Sequence, residues 1–213
     1  MSNKKTKFDD LSEFQLDGLQ EIGNIGAGHA AVALTQFLNR STYMSIPKVG
    51  VDNVQAISRF VKMPPDKNVA IISTRTTSDL LFSLMVFLED QSVSKIIDLM
   101  TESEEITELL ELSPLFMSLI KEIGSILLLK YVEALNFFLK CDSFPTPPKL
   151  RIGTVQSLND FELKELKEDI TSVLWIQCDV FTSEKNVRAD LAIVPHIETF
   201  DQSTPPCFIN IPF

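Results

Sequence analysis

Apolar residues recur at helical spacing in two long segments of the chain. Steps of three and four residues place such side chains on one face of an α-helix. Ser12 and Ser113 are suited to cap these segments, and Pro114 occupies the first helical position of the second. The pattern therefore predicts two long amphipathic helices, with apolar faces formed by Leu16, Leu19, Ile22, Ala27, Ala30, Leu34 and Phe37 and by Met117, Ile120, Ile123, Leu127, Leu135 and Phe138.

Runs rich in β-branched and aromatic residues follow each predicted helix, after a polar turn that ends in proline. Such residues favour strands, and the polar steps between the runs favour turns. Shorter helices are expected at 92–100 and 104–111, and an irregular tail at 201–213. The expected strands are 49–57, 69–77, 80–88, 150–158, 172–181 and 187–194.

The chain matches itself without gaps at an offset of 101 residues, from 11–57 onto 112–158. Two unrelated helices would not share so many identities at one fixed offset, so the sequence predicts two copies of one unit. We expect a single domain, residues 1–213, built from internal repeats at about 11–100 and 112–200. The predicted fold class is α+β with pseudo-twofold symmetry, in which about six strands form one shared antiparallel sheet beside two related long helices.

Composition and charge exclude several function classes. The formal net charge of −10 disfavours binding to nucleic acid or anionic lipid. The first ten residues are polar, and no apolar stretch reaches the length that spans a bilayer, so we expect a cytoplasmic protein without membrane insertion. The three scattered cysteines fit a reducing compartment. The two histidines, His29 and His196, lie far apart, which argues against a metal site or a Ser/His/Asp triad.

A polar stripe on the first helix is the main candidate for chemistry. Asp17, Glu21 and Asn24 stand at positions i, i+4 and i+7 and project from one side. Most such stripes are merely solvated, but three glycines, Gly23, Gly26 and Gly28, interrupt the helix beside Asn24. Each costs about 1 kcal/mol relative to alanine in a helix interior, which indicates the close approach of another backbone or a ligand.

Two further observations concern this stripe. A phosphate-binding glycine loop is a poor fit, because no strand precedes the glycines and the lysine of that motif is missing. The second repeat keeps the acid as Glu122 and has serine, at Ser118 and Ser125, where the first repeat has Asp17 and Asn24.

These residues resemble the helix motif of the CheC/CheX/FliY group of chemotaxis phosphatases. That motif is Asp or Ser, three residues, Glu, two residues, Asn, twenty-two residues and Pro. The first repeat fits it at Asp17, Glu21, Asn24 and Pro47. The second fits at Ser118, Glu122 and Pro148 but departs from it at Ser125. Two copies in one chain resemble the CheC type in particular.

The resemblance implies a phosphatase that hydrolyses the phosphoaspartate of a CheY-like receiver domain. Asn24 would then position the attacking water and Glu21 would dock on the receiver, while Asp17 and Pro47 support the motif. The protein would need no cofactor of its own, since Mg²⁺ would belong to the phosphorylated partner. The second site, at Glu122 and Ser125, is expected to be weak or inactive, because serine is shorter than asparagine.

Two other functions stay open at this point. The same surface could capture the phosphorylated receiver without hydrolysing it, or the chain could regulate the receptor deamidase CheD, which the resemblance makes a second potential partner. A structural flagellar role is weakened because the chain has no room for the extra switch domain of FliY-like proteins.

Overall fold

The computed structural model describes residues 13–53, 63–79, 81–101, 109–157, 172–182 and 186–195. The predicted cap Ser12, the tail at 201–213 and most of the expected helix at 104–111 lie outside these ranges; a short 3-10 helix covers Leu109–Glu111. The longer helices are α1 (Glu13–Leu38), α2 (Asp90–Thr101) and α3 (Pro114–Leu139). The strands are β1 (Thr42–Met44), β2 (Lys48–Asn53), β3 (Asn68–Ser78), β4 (Phe82–Glu89), β5 (Ser143–Pro145), β6 (Lys149–Thr154), β7 (Ser172–Thr182) and β8 (Asn186–Pro195).

The eight strands of the described ranges form one antiparallel sheet, which confirms the predicted fold class. Its order is β1-β7-β8-β4-β3-β5, with β2 also paired to β7 and β6 also paired to β3. The two outer positions are therefore each divided into two short strands. β1 and β5 lie where the sequence predicted only a polar turn, because three residues are too few to reveal strand alternation.

Each half of the chain gives an outer strand to the other half. β2 pairs with β7, with Lys48 opposite Gln177, and β6 pairs with β3, with Lys149 opposite Ser73. β4 and β8 meet in the centre, where Val86 lies opposite Leu191. The sheet is thus continuous only when both halves are present.

The helices α1 and α3 pack against each other on one face of the sheet. Between them and the strands lies the larger core, which contains the fully buried Ile22, Leu34, Ile72 and Leu84. A smaller cluster that includes Val69 covers the opposite face of the sheet. None of the helices within the described ranges is long and apolar enough to cross a membrane.

Helix α3 begins as the sequence predicts. Ser113 has extended backbone angles and its side chain accepts a hydrogen bond from the amide of Phe116 at 3.3 Å, with Pro114 next in the chain. A residue in the left-handed conformation follows each long helix: Asn39, with φ of 50°, after α1 and Lys140, with φ of 51°, after α3. This conformation is a common way to end a helix.

Matching hydrogen bonds hold the segment after each long helix against that helix. The Thr42 amide donates to Thr35 Oγ1 at 3.0 Å. In the second half, Asn136 Nδ2 donates to the Ser143 carbonyl at 2.8 Å, and the Ser143 amide donates to Asn136 Oδ1 at 3.1 Å. Both short strands are therefore fixed close to the helix that precedes them.

The glycines of α1 have different neighbours. A Cβ atom on Gly26 would lie 2.5 Å from Cδ1 of Tyr131 in α3, and one on Gly23 would lie 3.1 Å from Cγ2 of Val49. At these two positions the predicted close approach is made by side chains of the chain itself, so no ligand is needed to explain them. Gly28 is exposed, and a Cβ atom there would meet nothing within 4 Å.

Gly26→Ala and Gly28→Ala form a matched pair that tests this packing. Gly26→Ala should lower the free energy of unfolding by about 1–3 kcal/mol, because the new methyl group overlaps the buried ring of Tyr131. Gly28→Ala should raise it by up to about 1 kcal/mol, because alanine favours the helix and finds open space. Urea unfolding of both variants measures the difference, and equal effects would contradict the assigned contact.

Cys178 should be inert to alkylation in the folded protein. Its thiol is fully buried beneath the helices, and burial raises its pKa to about 12. Because only the thiolate is a good nucleophile, iodoacetamide at about pH 8 should leave Cys178 unmodified until denaturant is added. Peptide mass spectrometry with and without urea checks this, and rapid labelling of the native protein would contradict it.

Candidate functional site

The polar stripe of α1 faces outward. Asp17, Glu21 and Asn24 are all exposed, and Asn24 Nδ2 donates to Glu21 Oε2 in a long hydrogen bond of 3.4 Å. Gly28, one turn further along, continues the stripe. From Asp17 to Gly28 the stripe covers about 16 Å of the helix, at 1.5 Å per residue.

The orientation of this stripe follows from what the other side of α1 buries. Ile22, Gly26, Ala30 and Leu34 face the core, at a regular spacing of four residues. Because these positions are fixed by packing, the residues on the opposite side, including Glu21 and Asn24, are directed to solvent. The helix thus presents its acid and its amide at a defined place on the surface.

Pro47 lies under the stripe rather than on it. It is buried, and it is one of the two nearest contacts that a Cβ atom on Gly23 would make. Its carbonyl accepts a hydrogen bond from the Gln20 side chain. This arrangement ties the turn into β2 to the helix that carries Asn24.

A groove of about 270 Å³ opens beside Asn24, between α1 and the segment at 42–47. We call it the Asn24 groove. Sequence reasoning did not predict it, although the unexplained glycine at position 28 is the signal that marks it. It is lined by Asn24, Ala27, Gly28, Ala31, Thr42, Tyr43, Met44, Ser45, Ile46 and Pro47.

The corresponding face of α3 has the same outline but different details. Glu122 is exposed, and Pro148 is half-buried. The two serines bond to their own helix: Ser118 Oγ donates to the Pro114 carbonyl at 2.9 Å, and Ser125 Oγ donates to the Lys121 carbonyl at 2.6 Å. Their hydroxyl protons are therefore committed to the backbone instead of pointing outward.

The three leucines of α3 that replace Gly26, Ala27 and Gly28 do not all face outward. Leu127 and Leu128 are buried in the core, whereas Leu129 is 41% exposed. Only Leu129 can therefore restrict access to this face. It stands at the position that matches Gly28 of the first repeat.

A buried carboxyl group lies on β8, apart from the stripe of α1. Asp190 on β8 is buried, accepts from Gln177 Nε2 at 2.7 Å and forms an ion pair with Arg188 at 3.0 Å. Burial raises the pKa of its carboxyl group, and the contacts with Gln177 and Arg188 oppose that rise. Within the described ranges, no three His, Cys, Asp or Glu side chains are grouped so that they could hold a metal ion.

Comparisons with known proteins bear on both the motif and the fold. The model of the CheC-like family matches residues 14–51, which hold the α1 stripe and Pro47. The CheY-P phosphatase CheC of Bacillus subtilis strain 168 is 27% identical over 201 residues, which cover 92% of this chain and 94% of that protein.

Two solved structures share the architecture. Thermotoga maritima FliY aligns with a TM-score of 0.74 at 19% identity, covering 95% of this chain and 99% of that one. The FliM middle domain of H. pylori aligns with a TM-score of 0.60 at 11% identity, covering 90% and 97%. At these identities the likeness establishes the fold alone.

The family match falls on the helix and turn that build the candidate site, and the relative from Bacillus subtilis extends the likeness over nearly the whole chain. With the shared fold, these matches show that the chain resembles the CheC-like family in both its helix motif and its architecture.

Proposed function

We propose that this protein hydrolyses the phosphoaspartate of a phosphorylated CheY-like receiver domain. The observation that carries the proposal is the exposed pair of Glu21 and Asn24, joined by a hydrogen bond, on the helix that the CheC-like family model matches. The name of the Bacillus subtilis relative, a CheY-P phosphatase, supports the same reaction class.

Hydrolysis of a phosphoaspartate requires a correctly positioned water more than it requires an activated nucleophile. A phosphoaspartate is an acyl phosphate, so its carboxylate is a good leaving group. In the reaction a water oxygen bonds to phosphorus, the bond between phosphorus and the aspartyl oxygen breaks, and inorganic phosphate and a free carboxylate result. Catalysis then depends on a water held in line with the bond that breaks.

Asn24 is suited to hold that water. Its carboxamide offers an oxygen that accepts a hydrogen bond and a nitrogen that donates two. With the nitrogen turned toward Glu21, the oxygen is the group that would accept from the attacking water. An amide does not titrate near neutral pH, so it orients the water without acting as its base.

Glu21 has two roles in this proposal. Its carboxylate would dock on a cation beside the receiver's phosphorylation site, and through its contact with Asn24 it would hold the carboxamide in place. Asp17, one turn earlier, would support the acidic end of the stripe, and Pro47 would fix the turn beneath it. Mg²⁺ bound by the receiver would neutralise phosphoryl charge.

The face of α3 supports a second, non-catalytic function. Glu122 is exposed as Glu21 is, but Ser125 bonds to its own helix and has no amide to offer. Such a face could capture a receiver, or bind CheD, without hydrolysis. We propose that its contribution to turnover is small.

Asn24→Ala should lower the rate constant for receiver dephosphorylation on the order of 100-fold, because a misplaced water loses the in-line geometry. Decay of a Mg²⁺-bound phosphorylated receiver, followed with catalytic amounts of protein, measures it. Gln36→Ala, an exposed change further along α1, is the control and should behave as wild type. If wild type and Asn24→Ala both leave the spontaneous decay rate unchanged, the protein is a binding module.

Glu21→Ala should remove most of the activity, whereas Glu122→Ala should remove little. The reason is that only the first face pairs its glutamate with an asparagine. The same decay assay compares the two variants at equal concentration. Equal losses would show that both faces catalyse and would overturn the ranking of the two sites.

A further inference from the structure

The Asn24 groove contains space that no side chain of the described residues fills. A Cβ atom on Gly28 would meet nothing within 4 Å, so position 28 contributes open space to the groove beside Asn24. Two large apolar residues form the edges of the groove and are left in solvent: Ile46 is 83% exposed and Tyr43 is 65% exposed. Exposed apolar groups grouped around a groove mark an interaction site.

Hydrogen bonds fix the outer wall of the groove. The Ser45 amide donates to the Asp179 carbonyl at 2.9 Å, and the Asp179 amide donates to Ser45 Oγ at 2.9 Å. Thr42 is tied to Thr35 of α1 at 3.0 Å, as described above. Because the wall is held at both ends, the groove is largely pre-formed, and a partner that enters it loses little free energy in ordering it.

Charge separates the two ends of the α1 surface. Asp17 and Glu21 make one end acidic, whereas every residue that lines the Asn24 groove is formally uncharged. The chain carries a net charge of −10, which opposes encounter with an acidic partner surface. An apolar contact supplies attraction where the overall electrostatics oppose encounter.

The second repeat provides an internal comparison. At the offset of 101 residues, Gly28 corresponds to Leu129, and Ile46 corresponds to Pro147. Leu129 is 41% exposed, so the second face has a side chain where the first has space. The face that lacks the asparagine therefore also has a leucine where the first face has a glycine.

We propose that the Asn24 groove receives one apolar or aromatic side chain from the receiver surface next to the phosphorylated aspartate, and that Gly28 is the residue that admits it. The inference rests on the proposed function, of which it specifies the recognition step. The volume is sufficient, because a cavity of about 150 Å³ already holds a benzene ring. The inserted side chain would lie about 6 Å along α1 from Asn24, close enough to fix the register of the phosphoryl group.

Gly28→Leu tests the proposal by placing in the groove the side chain that the second repeat carries. The probe is a CheY-like receiver held in its phosphorylated-like form by beryllofluoride and Mg²⁺, and the measurement is its Kd by calorimetry. We expect a rise in Kd of about 10- to 100-fold, the range that corresponds to losing the burial of one large apolar side chain. Gln36→Leu, which adds the same side chain at an exposed position of α1 outside the groove, should leave Kd unchanged.

The dependence of Kd on ionic strength distinguishes an apolar contact in the Asn24 groove from an ionic contact at the acidic end of α1. The loss caused by Gly28→Leu should be the same at low and high salt, because it removes an apolar contact. The loss caused by Glu21→Gln should shrink at high salt, because screening already weakens the ion pair that it removes. If the Gly28→Leu loss shrinks in the same way, the groove does not act through apolar contact and the proposal is wrong.

The remaining outcomes distinguish this proposal from the phosphatase proposal. If Gly28→Leu binds as tightly as wild type while wild type accelerates receiver dephosphorylation, the groove proposal fails and the catalytic one stands. If Gly28→Leu weakens binding but wild type does not hydrolyse, the groove stands and the catalytic proposal fails. Should Gly28→Leu not fold, Ile46→Ser replaces it; at an 83% exposed position it should raise Kd several-fold, and an unchanged Kd would overturn the proposal.

Discussion

The contact between Gly26 of α1 and Tyr131 of α3 determines which residues of α1 face solvent. The ring of Tyr131 is buried and lies so close to Gly26 that no side chain fits between them. This contact, with the burial of Ile22 and Leu34, fixes the rotation of α1 about its own axis. Once the rotation is fixed, the stripe with Glu21 and Asn24 has only one direction to face. The candidate chemistry therefore depends on a packing contact in the interior.

The exposed faces of α1 and α3 have similar backbone scaffolds but carry different side chains. The segments after α1 and α3 are held by corresponding hydrogen bonds, at Thr35 with Thr42 and at Asn136 with Ser143. The differences lie in side chains that the scaffold does not need. Ser125 turns its hydroxyl to the helix backbone, whereas Asn24 holds its amide beside an acid. A serine hydroxyl can donate a hydrogen bond to a backbone carbonyl of its own helix. The longer carboxamide of asparagine forms such a bond less readily.

Helical periodicity and the internal match were sufficient to predict the long helices, the shared sheet and the stripe of α1. Each of these depends on residues close in sequence or on a fixed offset, so a single sequence contains the signal. The Asn24 groove and the short strands β1 and β5 could not be found in that way. They arise where α1 meets the segment at 42–47 and where β5 meets β3, contacts that depend on tertiary packing. Gly26 and Gly28 look alike in sequence, and only their neighbours in space separate one that packs from one that stays open.

The exchange of outer strands has a consequence for how this architecture can change over generations. Because β2 relies on β7, and β6 relies on β3, a chain severed between its halves would leave both fragments with bare strand edges, which are prone to aggregate. The half that carries Glu122 therefore cannot be discarded, whatever its surface does, because its strands complete the sheet. Its buried positions are constrained by the shared sheet, whereas its exposed positions can change without loss of that strand pairing.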